Sequence, residues 1–331
     1  MHIFFISFVC AIALILLLRY LATHLDMLDY PDERKQHAHP IPTVGGVAML
    51  MALLVAVQFG PPIDRPHFIL LACAAGLAIL GVIDDKHDLP VNLRMVIQVV
   101  LALIVVQNVH GTISQIGSVF GYPLNLGLLA LPVSLLAIVG AINAINMIDG
   151  ADGMAGSMVL ITSLGATAIF MVDPRGAALT TPLALLGAVT AFLLFNARIF
   201  INRAKVFMGD AGSMWLGLVV GWMLIRVTQG SGDPLVALWL FGLPLIDTLS
   251  VMMRRINRKK SPFKADRTHI HHVFERHGFS TGRSVLLSAL GHALLVTTGV
   301  TLYLIGAPTL VVLGGFLAVF AIYYYVLRHQ H

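Results

Sequence analysis

The sequence has very little charge. Asp, Glu, Lys and Arg make up only 11% of its 331 residues, whereas 58% of the residues are hydrophobic. A soluble globular domain carries about 25% charged residues, so this composition excludes an ordinary soluble protein and predicts an integral membrane protein. The net charge of +5 is then best explained by membrane topology, and we expect no nucleic acid partner.

Cysteine is nearly absent as well. The two cysteines, Cys10 and Cys73, both lie within hydrophobic segments. We interpret them as small packing residues, because an isolated pair of this kind predicts neither a disulfide framework nor a cysteine-ligated metal site. A basic N-terminal segment and a small-residue cleavage site are also lacking, so residues 2–22 are predicted to be a retained first span and not a signal peptide.

Hydrophobic segments fill most of the chain. Eleven of them approach the roughly 17–25 residues that a membrane-spanning helix needs. They are 2–22, 43–60, 67–83, 94–109, 126–146, 155–172, 179–195, 210–228, 234–253, 284–305 and 308–327. The sequence therefore predicts an all-α, polytopic integral membrane protein that forms one catalytic domain over residues 1–331.

The charged residues are concentrated in alternate loops. Eighteen of the twenty-one Lys and Arg residues lie in or beside one set of loops, and so do thirteen of the sixteen acids. The positive-inside rule places this set in the cytoplasm, with the N-terminus outside and the C-terminus inside. The rule concerns only basic residues and does not require the acids to lie on the same side. Their presence there indicates chemistry at the cytoplasmic face. The loops are 23–42, 84–93, 147–154, 196–209 and 254–283, together with the C-terminal tail.

The segment NAINMIDGADG (143–153) joins two predicted spans. If the helix continues through it, Asn143, Asn146 and Asp149 share one face, and Asp152 extends the row. Amide and carboxylate oxygens are the ligands that Mg²⁺ prefers. The segment therefore predicts a cation site, and the alternative is a simple turn between two helices.

Two further patches precede this segment. Residues 31–46 end in PTVGG, which lets the backbone approach a ligand closely; the alternative is a basic loop that only sets topology. In DDKHD (84–88), Asp84 and Asp85 lie at a helix end that favours cations. A basic partner or a metal ion is therefore expected, and Lys86 and Arg94 are candidate phosphate ligands.

Two patches follow it. KVFMGDAGS (205–213) places Asp210 at the start of the eighth span, where backbone N–H groups favour phosphate; the alternative role for Asp210 is an N-cap. The loop 254–283 holds nine Lys and Arg residues and a tight cluster of histidines, His269, His271 and His272. No cysteine or HEXXH spacing supports zinc there. We favour phosphate binding over contact with anionic lipid.

Four motifs follow one another along the chain: DD, NxxNxxDGxDG, FMGD and HIHH. With these motifs in this order, the sequence closely resembles the polyprenyl-phosphate N-acetylhexosamine-1-phosphate transferases over nearly its whole length. The resemblance implies transfer of GlcNAc-1-phosphate from a UDP-N-acetylhexosamine to undecaprenyl phosphate at the bacterial inner membrane, among membrane lipids. DRTHIHH is similar to the GlcNAc branch, whereas the VFE that follows resembles the phospho-MurNAc-pentapeptide branch, which is the alternative. A homodimer is left open.

The resemblance also implies residue roles. Asp210 and Asn146 would hold Mg²⁺, with Mn²⁺ as a substitute. Phe207 would stack on uracil and Asp152 would hydrogen-bond to it. Asp84 and Asp85 would face the lipid phosphate, with Asp149 and Asp210 as further catalytic carboxylates. The remaining predicted substrate-binding residues are Lys35, Lys86, Arg94, Asn143, Arg267, His269, His271 and His272.

The main alternative outside enzymes is a secondary transporter. Transporters place ionisable groups near the bilayer midplane, whereas here nearly all of them lie at one rim. Asp247, one to two turns inside the ninth predicted span, is the exception, and we expect it to pair with the basic loop or to stabilise the site. For the reaction, direct displacement is favoured over a covalent aspartyl-phosphate.

Overall fold

The computed structural model describes residues 1–30, 40–173, 179–199, 201–259 and 268–328. The predicted ligands Lys35 and Arg267 lie outside the described residues. Within these ranges the regular secondary structure is helical apart from two short antiparallel strand pairs, β1 with β2 and β3 with β4. The strands are β1 (Leu28–Asp29), β2 (Ile41–Pro42), β3 (Gln115–Val119) and β4 (Tyr122–Asn125).

The helices follow the predicted hydrophobic segments closely. They are α1 (His2–Leu21), α2 (Gly45–Val57), α3 (Arg65–His87), α4 (Val91–Asn108), α5 (Ala130–Ile148), α6 (Met154–Val172), α7 (Thr180–Asn196), α8 (Gly209–Val227), α9 (Val236–Leu240), α10 (Gly242–Asn257), α11 (Ile270–Arg276), α12 (Thr281–Leu304) and α13 (Thr309–Leu327). In the described part of the chain, eight helices are long and apolar enough to cross a membrane. The all-α polytopic class is confirmed, and the total of eleven spans stays a prediction.

Two of the predicted spans correspond to shorter apolar helices, α2 and α7. A third, 234–253, is not one continuous helix, because the helix is interrupted between the end of α9 and the start of α10. At the break, Thr162 donates its hydroxyl to the carbonyl of Leu240 at 2.9 Å, and the N–H of Leu243 lies 3.4 Å from Nδ1 of the buried His292. Side chains thus satisfy the freed backbone groups, as a membrane interior requires.

Helix α8 is the centre of the bundle, and nearly all of its residues are buried. Small residues let its neighbours approach at backbone distance. A Cβ atom on Gly81 of α3 would lie 2.2 Å from the amide nitrogen of Ala211, and one on Gly217 would lie 2.4 Å from Cα of Ile142 in α5. This packing brings the C-terminal ends of α3 and α5 to the N-terminus of α8.

Candidate active site

A cleft of about 570 Å³ lies where these three helix ends meet. Residues from all five predicted patches line it, so the motifs converge although 229 positions separate Thr43 from His272. The lining residues are Asp29, Thr43, Asp85, Asp149, Gly150, Ala151, Asp152, Asn196, Arg198, Phe207, Met208, Gly209, Asp210, His272, Glu275 and Thr281.

Asp85 caps the N-terminus of α8 from a different helix. Its Oδ1 atom accepts a hydrogen bond from the main-chain N–H of Asp210 at 2.9 Å, and Oδ2 lies 3.5 Å from the N–H of Ala211. The positive end of the helix dipole favours a carboxylate in this place. The preceding Gly209 has a φ of +67°, which a residue with a side chain rarely adopts.

Asp84 lines a smaller neighbouring cleft and not the main one, and it is held in an ion pair. Its side chain is 1% exposed and accepts from Nη1 of Arg94 at 2.5 Å and from the N–H of Leu89 at 2.8 Å. The guanidinium also lies 3.6 Å from Oδ2 of Asp210. The adjacent acids therefore divide: Asp85 lines the main cleft, while Asp84 and Arg94, predicted as ligand-facing groups, neutralise each other.

Asn146 and Asp210 form the oxygen-rich pair that the sequence predicts for a cation. Nδ2 of Asn146 donates to Oδ1 of Asp210 at 2.7 Å and to Oγ of Ser213 at 2.9 Å. The Asp210 side chain is 33% exposed. No cluster of three or more His, Cys, Asp or Glu residues able to hold a metal occurs among the described residues. Mg²⁺ usually needs only one or two carboxylates plus substrate phosphates, so the donor set fits that ion.

Asp149 lies at the end of α5 and does not continue its helical face. Its φ and ψ of −75° and 49° leave the helix, and Gly153, at φ +91°, starts α6. The expected four-residue row is therefore limited to Asn143 and Asn146. Desolvation, followed by the negative charges of Asp210, Asp152 and Asp85, raises the pKa of Asp149 to about 8. A proton or a cationic ligand is needed to balance this group of acids.

Asp152 and the glycine that follows it are held by two residues that the sequence did not predict. Nε of Arg198 donates to its Oδ2 atom at 2.6 Å. Asn196 accepts from the N–H of Gly153 at 2.7 Å and donates to the carbonyl of Val206 at 2.9 Å, and so joins the acidic loop to the FMGD segment. The only signal in the sequence was a polar pair at the end of the seventh span.

The PTVGG and FMGD segments are tied together by their backbones. The N–H of Phe207 donates to the carbonyl of Pro42 at 2.8 Å, and the N–H of Gly45 donates to the carbonyl of Phe207 at 2.9 Å. A Cβ atom on Gly46 would lie 2.3 Å from Cα of Gly212. The close approach of this segment is made to helix α8 of the same chain, and its approach to a ligand stays a prediction. The pairing fixes Phe207 at the cleft wall, beside Thr43 of the PTVGG segment and Asp29, which the sequence did not single out.

The three histidines have different environments. His269 is buried, with Nδ1 2.7 Å from Oδ2 of Asp247, whose Oδ1 accepts from Tyr323 at 2.7 Å. This confirms the expected pairing of Asp247 with the basic loop. His271 is buried, and within the described part of the chain neither of its ring nitrogens has a hydrogen-bond partner; burial lowers its pKa to about 3. His272 alone of the three lines the cleft.

Two predicted ligands lie elsewhere. Nδ2 of Asn143 donates to Oε1 of Gln98 and to the carbonyl of Val139, each at 2.8 Å, so this side chain joins α4 to α5. Lys86 lines a neighbouring cleft of about 370 Å³. There its ammonium donates to the carbonyl of Leu25 at 3.0 Å.

Comparison with known proteins agrees with this geometry. The model of the family "Glycosyl transferase family 4" matches residues 67–228. Proteins named undecaprenyl-phosphate alpha-N-acetylglucosaminyl 1-phosphate transferase are similar over nearly the whole chain. The relative from Salmonella typhi is 35% identical, over 95% of this chain and 87% of its own. The relative from Yersinia pestis is 34% identical, over 97% of this chain and 89% of its own. The relative from Haemophilus influenzae is 32% identical, over 98% of this chain and 93% of its own.

Proposed function

The chain belongs to glycosyl transferase family 4, and from this premise we propose that it transfers N-acetylglucosamine-1-phosphate from UDP-N-acetylglucosamine to undecaprenyl phosphate and releases UMP. The names of the relatives give the acceptor and the transferred group. The observation that carries the proposal is the convergence of Asp85, Asp152, Asp210 and His272 on one cleft.

The position of the cleft suits this pair of substrates. It lies at the ends of apolar helices, beside the loops that hold most of the basic residues. A lipid phosphate lies at the headgroup layer, whereas a nucleotide sugar is dissolved in the cytosol. A site at the inner rim of the membrane reaches both substrates, which supports a cytoplasmic active site in the inner membrane and an outside N-terminus.

Asp210 and Asn146 would hold Mg²⁺ through their side-chain oxygens. When bound, the ion neutralises charge on the diphosphate of the donor and on the departing UMP. The residues around the pair have separate tasks: Asp85 fixes the start of α8, and Arg94 limits the repulsion between Asp84 and Asp210. Phe207 and Asp152 line the same cleft, and there they would take the uracil.

The reaction is a displacement at phosphorus. An oxygen of the lipid phosphate attacks the β-phosphorus of the donor, and the bond from that atom to the bridging oxygen breaks. The bridging oxygen leaves with UMP and keeps the electron pair. A phosphate monoester has its second pKa near about 6, so the nucleophile is largely a dianion at neutral pH. Asp85 therefore needs only to orient it or to accept a residual proton.

The donor sugar is tested with a panel of nucleotide sugars. Purified protein, undecaprenyl phosphate and Mg²⁺ are incubated with UDP-GlcNAc, with UDP-linked 6-deoxy N-acetyl sugars and with UDP-MurNAc-pentapeptide, and UMP release is measured. We expect UDP-GlcNAc to give the highest kcat/KM. Release from UDP-MurNAc-pentapeptide alone would overturn the proposed donor.

A further inference from the structure

One wall of the cleft is built by the turn between α11 and α12. His272 and Glu275 lie one helical turn apart on α11, and Thr281 follows at the start of α12. Nδ1 of His272 lies 3.2 Å from Oε2 of Glu275, and the hydroxyl of Thr281 donates to Oε1 of Glu275 at 2.8 Å. Each oxygen of the Glu275 carboxylate thus has one partner on this wall.

The turn that presents these residues is well packed. The N–H of Phe279 donates to the carbonyl of Phe274 at 3.2 Å, and the two rings meet edge to face, with centroids 6.0 Å apart. Gly278 supplies the φ of +85° that the turn needs. Because the turn is fixed, the carboxylate of Glu275 is held beside the imidazole and does not reach it from a loosely placed loop.

The contact selects one tautomer of His272. An ionised carboxylate can only accept a hydrogen bond, so Nδ1 must carry the proton that faces Glu275. The other nitrogen, Nε2, then donates only when the ring is protonated. A neighbouring carboxylate favours that protonated form, which is the form that binds phosphate oxygens most strongly.

We propose that Glu275 is a positioning residue that holds His272 in the orientation from which its Nε2 atom binds a phosphate of the nucleotide-sugar donor. This inference rests on the proposed function for the identity of the donor. Thr281 holds Glu275 in place, and all three side chains lie in the same cleft as the acids that would hold the metal ion and the uracil.

Two kinds of group near His272 stay constant in the test: the ring of His271 and the other charges of the cleft. The ring of His271 is 4.1 Å away, between centroids, and it is buried. Removal of the Glu275 charge leaves the remaining charged groups of the cleft unchanged, so a matched pair of proteins isolates this one contact. Those groups are Asp29, Asp85, Asp149, Asp152, Arg198 and Asp210.

The orientation is tested without any substrate. Diethyl pyrocarbonate reacts with neutral imidazole, so the rate of His272 modification against pH, followed by peptide mass spectrometry on the purified full chain, reports its titration. In Glu275→Gln the midpoint should fall by about 0.5 to 1 pH unit. His277 is an internal reference, because its Nδ1 faces a backbone carbonyl at 2.8 Å. An unchanged His272 midpoint would overturn the inference.

Kinetics test the link to the donor. Since half to one pH unit is a factor of about 3 to 10 in protonated ring, Glu275→Gln should raise the KM for UDP-GlcNAc by that factor near about pH 8, with a smaller change in kcat. Thr281→Val should also raise this KM, but by a smaller factor. In a His272→Gln background, Glu275→Gln should add no further change in KM, whereas additive effects would contradict the proposal.

The two assays separate the two proposals. If UMP release is never observed but the His272 midpoint shifts, the proposed function fails and the positioning of His272 stands without its donor. If UMP release is normal and neither the midpoint nor the KM responds to Glu275→Gln, the function stands and the positioning role is wrong.

Discussion

The main-chain N–H of Asp210 donates a hydrogen bond to Oδ1 of Asp85 at 2.9 Å. One carboxylate of the DD pair is thus joined to the backbone of the residue that would hold Mg²⁺. The link fixes the end of α3 against the start of α8, and it explains why the residue between them in space, Gly209, has no room for a side chain.

Gly209→Ala should therefore be destabilising and inactive. The new Cβ would lie 2.4 Å from Oδ2 of Asp85, at a φ of +67°. Strain of this kind costs about 1–3 kcal/mol, and it would displace the Asp85 carboxylate. Thermal unfolding and UMP release measure the two effects. Gly291→Ala on α12 is the matched control, because a Cβ there meets nothing within 4 Å. Equal unfolding temperatures and equal UMP release in the two variants would refute the proposed contact between Gly209 and Asp85.

Arg94→Gln should destabilise the protein by leaving Asp84 buried without its cation. Loss of one partner of a fully buried pair costs about 3–5 kcal/mol; because the Arg94 side chain is 23% exposed, we expect about 2 kcal/mol after allowance for solvent screening. Unfolding measurements on Arg94→Gln, Asp84→Asn and the double variant form a cycle. The double variant should be more stable than the sum of the single changes predicts, and strict additivity would argue against the pair.

Asp149 should make the free energy of unfolding of the metal-free protein depend on pH. The pKa of its folded form is raised to about 8, above that of an unfolded aspartate. Its contribution to stability is therefore fully present below the unfolded pKa and is lost as the pH rises through about 8. One proton gives a slope of at most about 1.4 kcal/mol per pH unit in the free energy of unfolding. With EDTA present, the free energy of unfolding of Asp149→Asn should vary less with pH than that of the wild type. Parallel pH curves for the two proteins would contradict the raised pKa of Asp149.

Direct displacement predicts that no phosphate becomes attached to the protein. The protein is mixed with UDP-GlcNAc labelled in the β-phosphate, without lipid acceptor, and quenched rapidly in acid. We expect no labelled peptide from wild type or from Asp85→Asn. A labelled peptide that contains Asp84 or Asp85 would establish the covalent aspartyl-phosphate route.

Sequence alone predicted much of the fold, because hydrophobic length is a strong signal in a membrane protein. It did not predict the break between α9 and α10. That break depends on Thr162 and His292, which lie 78 and 52 positions from Leu240 along the chain. Without their hydrogen bonds, residues 234–253 are indistinguishable from a continuous span.

Motifs identified the cleft but not its supporting residues. Asp85, Asp152, Phe207 and Asp210 belong to recognisable patterns and meet as expected. Arg198 belongs to none, and Glu275 ends the VFE pattern, for which the sequence implied no role. The roles of both residues come from contacts with Asp152 and His272. Adjacent acids such as Asp84 and Asp85 have the same signal in sequence, and only packing decides which one is buried.

The most direct test of the account follows the labelled β-phosphate of UDP-GlcNAc in a mixture of purified protein, undecaprenyl phosphate and Mg²⁺. The account predicts that the label moves to the lipid with one UMP released per label, that EDTA abolishes transfer, and that Asp210→Ala reduces it by more than the 10- to about 100-fold typical of outer-shell changes, even in excess Mg²⁺. Wild-type protein that binds both substrates but leaves the label on the nucleotide would contradict the account.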